Sequence, residues 1–212
     1  MLSRCCSLER LNVRLLVRMG IAMIGSALTT AVMLLWWPPG LAGTPSPRPS
    51  ISQGKAASDQ ATHAIRESIF ETMKALLTGD VKTVKRLSAP RTLDLISLVY
   101  EAAREDPRLR EDLRNARVTN PDEFLRFFMQ GIANQYLQAA PMQPEQAARK
   151  VANDAVISFA NQSEARIVVA GSDFARARLA AREWKIDLAD SLKKAVLREV
   201  KNPEMRARIK SL

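Results

Sequence analysis

Near Asp154 the spacing of apolar residues changes, and no other feature of this chain restricts its fold as much. Upstream they recur every three to four residues, the period of an amphipathic helix; downstream they alternate, the period of a half-buried strand. Four segments carry the alternation: AVISFA, EARIVVA, FARARLA and REWKIDL. NQS separates the first pair and GSD the second, with Gly171 supplying the positive φ that a tight hairpin wants. AAR must turn the last pair, and it is poor turn chemistry. Connections this short join antiparallel neighbours, because parallel strands need long crossovers. Within the third segment Phe174, Arg176 and Arg178 share a face opposite Ala175, Ala177 and Leu179. One face is therefore wet or lines something polar, and the other packs on helices. In the fourth, Trp184, Ile186 and Leu188 lie opposite Glu183, Lys185 and Asp187. From Leu188 the spacing turns helical again, through Leu192, Ala195, Val196 and Val200.

The upstream half reads as a series of helices. Ser58 caps a first helix with an apolar face of Ala61, Ala64, Ile65, Ile69, Met73, Leu76 and Leu77, and Gly79 ends it. Asp80 caps a short helix over 81–87, and a third runs from Thr92 to Arg104. Pro107 interrupts ahead of the charged stretch RLREDLRNAR. Asn120, Pro121 and Glu123 are strong start signals for a helix with a stripe of Phe124, Phe127, Phe128, Ile132, Tyr136 and Leu137. PEQAARKVAND is a further short helix. Helices, then an antiparallel meander, then a C-terminal helix make an α+β domain over 58–212.

The segment MGIAMIGSALTTAVMLLWW, residues 19–37, holds no charged side chain. About 20 apolar residues at about 1.5 Å rise cross the roughly 30 Å of a bilayer's hydrocarbon. Four arginines precede the segment within 1–18, and Trp36 and Trp37 end it. Arginine marks the cytoplasmic side and tryptophan the far interface. The expectation is a single-pass anchor in a bacterial inner membrane, with the domain on the periplasmic, extracytoplasmic side. A cleaved signal peptide, with GLA or LAG at the cleavage site, is the competing reading and sends the domain across the same membrane. The Pro, Gly and Ser of 38–57 read as an extended linker.

The net charge of +10 must be located before it implies a partner. Four arginines against Glu9 leave +3 in 1–37, and Arg48 and Lys55 add +2, so +5 is spread along helices that also carry many acids. With no zinc-finger, helix-turn-helix or RNA-recognition pattern, nucleic acid is not an expected partner. Cys5 and Cys6 are adjacent and precede the apolar segment, so they cannot staple the domain.

The stretches ALLTGDVKTVKRLSAP (75–90), SEARIVVAGSDFARARLA (163–180) and REWKIDL (182–188), behind a long first helix, resemble bacterial extracytoplasmic members of the nuclear transport factor 2-like superfamily. Together they span about half of the domain. The resemblance implies a cone, in which a long helix and its neighbours pack into the concave side of a curved antiparallel sheet. Two departures stand out: 105–152 is longer and more helical than the family's pattern, and the helix after WKIDL is extra. Enzymatic relatives, isomerases and dehydratases, place an Asp, Tyr or His inside the cone, where desolvation strengthens a carboxylate base. Asp94, Tyr100, Tyr136 and Asp187 are the residues of that type here; none matches a family motif, and none is carried over as catalytic. Non-catalytic relatives include the periplasmic scaffold subunit of type IV secretion and small envelope accessory proteins.

His63 is the one histidine, and the domain has no cysteine, so paired imidazole or thiolate ligands are lacking. The chain has no G-x-S-x-G, phosphate loop or G-x-G-x-x-G. Neither a metal nor a cofactor is expected, and no catalytic residue is assigned. The expected function is a membrane-tethered binding or assembly module of the cell envelope, with other envelope proteins or a second copy as partners. The alternative is a small-molecule-binding or isomerase/dehydratase-like cone. On the cone reading Phe124, Phe128, Tyr136, Arg176 and Arg178 line the cavity, while Lys193, Lys194 and Arg198 form a basic face for a partner. Arg206, Arg208 and Lys210 would extend that face toward anionic lipid or glycan.

Overall fold

The structure, a computed structural model, describes residues 52–139 and 142–212. The anchor expected at 19–37, the basic stretch before it and both cysteines lie outside the described residues. Among the described residues no helix is long and apolar enough to cross a membrane.

Helix α1 (Ser52–Thr78) begins upstream of Ser58, inside the stretch expected as linker. Gln53, Lys55, Ala56 and Ala57 are good helix formers, so the linker composition of 38–57 belongs to its earlier part. Gly79, at φ 78°, ends α1 as its C′ residue, and the Asp80 N–H donates to the Ala75 carbonyl at 2.9 Å. Asp80 then caps α2 (Val81–Leu87), accepting from the Thr83 N–H at 3.1 Å.

Four helices follow: α3 (Pro90–Glu105), α4 (Pro107–Asn115), α5 (Pro121–Ala139) and α6 (Pro144–Asp154). Each opens on a proline, whose missing N–H is one that a helix start does not use. Proline thus separates helices that would otherwise fuse. Arg66 of α1 holds the end of α6, donating to the carbonyls of Ala152, Asn153 and Ala155 at 3.2, 2.7 and 3.2 Å.

Strands β1 (Val156–Asn161), β2 (Glu164–Val169), β3 (Ser172–Ala180) and β4 (Glu183–Asp187) form one antiparallel meander in the order β1-β2-β3-β4. This matches the alternation read from the sequence. Ala170 and Gly171 turn β2 into β3 with φ of 50° and 76°. Ala181 and Arg182 turn β3 into β4 with φ of 50° and 67°. Positive φ at both central residues is what a two-residue hairpin demands, and here two non-glycines supply it at a cost of roughly 1–2 kcal/mol each.

Register divides the sheet into two faces. One carries Ala165, Ile167, Ala177 and Ile186, all buried, along with Trp184. Phe159 of β1 reaches Trp184 of β4 across this face, ring centroids 6.2 Å apart, although two strands lie between them. Ala165 and Ala177 occupy the row between and are small enough to let the rings meet. Bulges between Phe159 and Asn161 and between Ile167 and Val168 help the sheet curl. The other face carries Arg166, Arg176 and Arg178, all exposed. Phe174, expected on that wet face, is instead buried, because the next helix crosses β3 there.

Two helices follow the sheet where one was expected: α7 (Ala189–Glu199) and α8 (Pro203–Ser211). Asn202 caps α8 through the N–H groups of Glu204 and Met205, at 2.9 and 3.2 Å, and Pro203 opens it. Ile65, Ile69 and Met73 of α1, Leu95, Phe124, Met129, Ile167, Ile186 and Ile209 are sealed in a core shared by helices and sheet.

Candidate functional site

Three helix faces meet without filling the space between them. Ile96 and Val99 lie one turn apart on α3, Phe124 and Phe128 on α5, and Leu192 and Val196 on α7. They line an open-mouthed cleft of about 660 Å³, within the range of about 300–1,000 Å³ typical of ligand pockets. Tyr100 stacks beside Phe124 with ring centroids 5.5 Å apart, and Arg104 lies 5.7 Å over the Tyr100 ring. The aromatic wall is thus braced from behind.

Six polar residues complete the lining: Glu105, Asp106, Arg108, Glu111, Lys201 and Asn202. Asn202 donates to the Glu105 carboxylate at 2.9 Å, latching the α7–α8 link to the end of α3. Asp106 caps α4, accepting from the Arg108 N–H at 2.9 Å. The walls of Ile, Val, Leu and Phe suit hydrocarbon, since they offer a polar group no partner, and the polar residues of the lining stand beside them.

Asp187 is the one carboxylate buried among the described residues. It stands where β4 passes into α7, accepting the Thr92 hydroxyl at 3.1 Å and the Ala189 N–H at 3.0 Å on Oδ1. Its Oδ2 makes no hydrogen bond but faces Arg91 at 3.6 Å and Arg178 at 3.4 Å. Arg91 also bonds Asp190, which holds that carboxyl below its ordinary 3.8. Arg176 pairs with Glu164 at 3.0 Å and Asp190 at 3.4 Å. These groups lock the strand-to-helix junction.

The residues singled out by sequence therefore separate. Phe124 and Phe128 border the cleft; Arg176 and Arg178 stand in ion pairs on the sheet's exposed face, away from it. The Tyr136 side chain lies outside what is described. Asp94 is exposed, Tyr100 is packed on Phe124 and Asp187 is sealed; none of the three borders the cleft. His63 is exposed, and among the described residues no group of three or more His, Cys, Asp or Glu could hold a metal ion.

The basic residues of the C-terminal helices do not make one open face. Lys193 is half-buried and donates to the Lys210 carbonyl at 2.7 Å. Arg206 closes the end of α7 through the carbonyls of Leu197 and Val200, the latter at 2.8 Å, and Arg208 pairs with Glu101 at 2.9 Å. Lys194 and Arg198 are exposed. The α7 wall of the cleft and the Asn202 latch went unread in the sequence, although Leu192 and Val196 carried a helical signal.

No family model matches the chain, and neither a curated protein nor a solved structure does.

Proposed function

We propose that this protein is a non-catalytic binding or assembly module held at a bacterial inner membrane by residues 19–37, with its α+β unit on the extracytoplasmic side. The cleft between α3, α5 and α7 is its binding site. The observation that carries this reading is a cleft of about 660 Å³ walled by Ile96, Val99, Phe124, Phe128, Leu192 and Val196, with polar side chains along the rest of its lining. Burial of apolar surface contributes about 25 cal/mol per Å², so such a cleft favours an apolar group of a partner or ligand over water. The uncharged run at 19–37, preceded by arginines and ended by Trp36–Trp37, supports the location. The resemblance to cone-shaped envelope proteins supports the assembly role by analogy only.

The test uses a photo-crosslinking amino acid at Val196, in the cleft, or at Arg166, on the sheet's exposed face and outside the cleft lining, in intact cells. Specific adducts with an envelope component from position 196 and none from 166 are expected. Equal yields from both positions, or no adduct from either, would sink the binding-site assignment. The location is tested separately: a Ser58→Cys chain with Cys5 and Cys6 replaced by serine should react with a membrane-impermeant thiol reagent from outside, before lysis. Labelling only after lysis would reverse the topology.

A further inference from the structure

The lining of the cleft is amphiphilic, and its two parts differ in exposure. Ile96, Phe124, Phe128, Leu192 and Val196 are buried, whereas Glu105, Arg108, Glu111 and Lys201 are exposed. Apolar side chains thus form the floor and charged ones the rim. Two acids of the lining are already engaged. Glu105 accepts the Asn202 amide at 2.9 Å, and Asp106 accepts the N–H groups of Arg108 and Leu109 at 2.9 and 3.4 Å. The side chains of Arg108, Glu111 and Lys201 make no hydrogen bond or ion pair among the described residues. A ligand of one charge sign would meet a like charge on this rim, while a ligand carrying both signs meets a partner for each. Size argues against a partner helix. With its side chains a helix is about 10–12 Å across, so one turn of about 5.4 Å fills about 400–600 Å³. A cleft of about 660 Å³ admits little more than one turn, whereas helix-in-groove recognition spreads its anchors over two. A single alkyl chain is smaller than the drug-sized ligands that clefts of this volume bury.

We propose that the ligand of this cleft is a single-chain phospholipid whose headgroup carries a phosphodiester and a primary ammonium, an inference that rests on reading the cleft as the binding site. The chain lies against Phe128 and Val196, Arg108 and Lys201 take the phosphate, and Glu111 takes the ammonium. A primary ammonium has N–H groups to give a carboxylate. A quaternary one is recognised instead by a cage of aromatic faces, and the exposed part of this lining has no aromatic side chain.

The experiment uses the full chain in vesicles of dioleoyl phosphatidylcholine, with a 16-carbon lysophosphatidylethanolamine that bears a photoreactive diazirine near the end of its chain. Irradiation should place adducts on the segments around Phe128 and Val196. Unlabelled lipids of the same chain then compete for the site. The phosphoethanolamine should displace the reagent at concentrations about tenfold or more below those of the phosphocholine, the phosphoglycerol and the uncharged glycerol ester, because losing one charge-assisted contact weakens binding by about that factor. Arg108→Glu combined with Lys201→Glu should lower the adduct yield about tenfold, and Glu111→Lys should move the preference to the phosphoglycerol. All three positions are exposed, so the circular dichroism spectrum should not change. No adduct in the cleft, equal displacement by the four lipids, or variants that behave like the parent overturns the proposal. Protein adducts at position 196 without labelling by the lipid keep the binding site and overturn the phospholipid; no adduct of either kind overturns both.

Discussion

At the scale of single residues, Asp187 explains how a strand runs into a helix without a loop. Thr92 serves both sides of that junction: its hydroxyl donates to Asp187 and accepts the Leu188 N–H at 2.9 Å. Thr92→Val keeps the shape but strips a buried carboxylate oxygen and a backbone N–H of a partner. Leaving such groups unmade costs about 1–3 kcal/mol each, so a loss of about 2–3 kcal/mol is expected in urea unfolding. A change below about 0.5 kcal/mol, the size usual for an inert surface substitution, would show that the junction does not depend on this hydroxyl. Alternation in REWKIDL put Asp187 opposite Trp184 and Ile186, which it is; that it would nonetheless be buried was not legible. Its burial comes from Arg91 and Thr92, which stand more than ninety positions away along the chain.

At the scale of elements, the β3–β4 hairpin is the clearest case of tertiary demand overriding local preference. Nothing in AAR favours a turn, yet cross-strand pairing from Arg176–Asp187 to Ala180–Glu183 leaves only Ala181 and Arg182 to make one. Replacing them by Asn and Gly, the pair that tolerates positive φ at both positions, should stabilise the fold by about 1 kcal/mol and raise the melting temperature by about 2–4 °C. A lower melting temperature would mean that the Arg182 side chain contributes more than its backbone conformation costs. The helix boundaries were legible wherever proline or Gly79 marked them, because those residues act through their own backbone. The start of α1 was not, since Ser58 is a good cap that an upstream run of Ala, Lys and Gln overrides. The cleft was half legible: spacing showed that Phe124 and Phe128 share a face, but not that α7 would stand opposite them. Which surfaces face each other is a property of the fold, not of any one period.

At the scale of the whole molecule, the sheet's charged face ties distant parts together. Glu183 is held below its ordinary 4.5 by a hydrogen bond from Lys185, and Asp190 below 3.8 by Arg91. A carboxyl with a lowered folded pKa contributes stability above its unfolded value and loses it as pH falls through the folded one. Stability should therefore hold flat from about pH 7 to 5 and fall below pH 4, as followed by the urea midpoint. Replacing Arg91 with alanine should flatten the part of that fall due to Asp190; an unaltered profile would show that Arg91 does not set it.

The ring contact between Phe159 and Trp184 carries a mechanical consequence. It fastens the first strand to the last, so the meander is closed by a clasp at one end as well as by its ladders. Fraying of an outer strand, ordinarily a local event, must here break a contact at the far margin of the sheet, and the alanines beneath the rings leave no bulk to take its place. Amide protons of β1 and β4 should then exchange with solvent together, as one cooperative unit rather than as two independent margins.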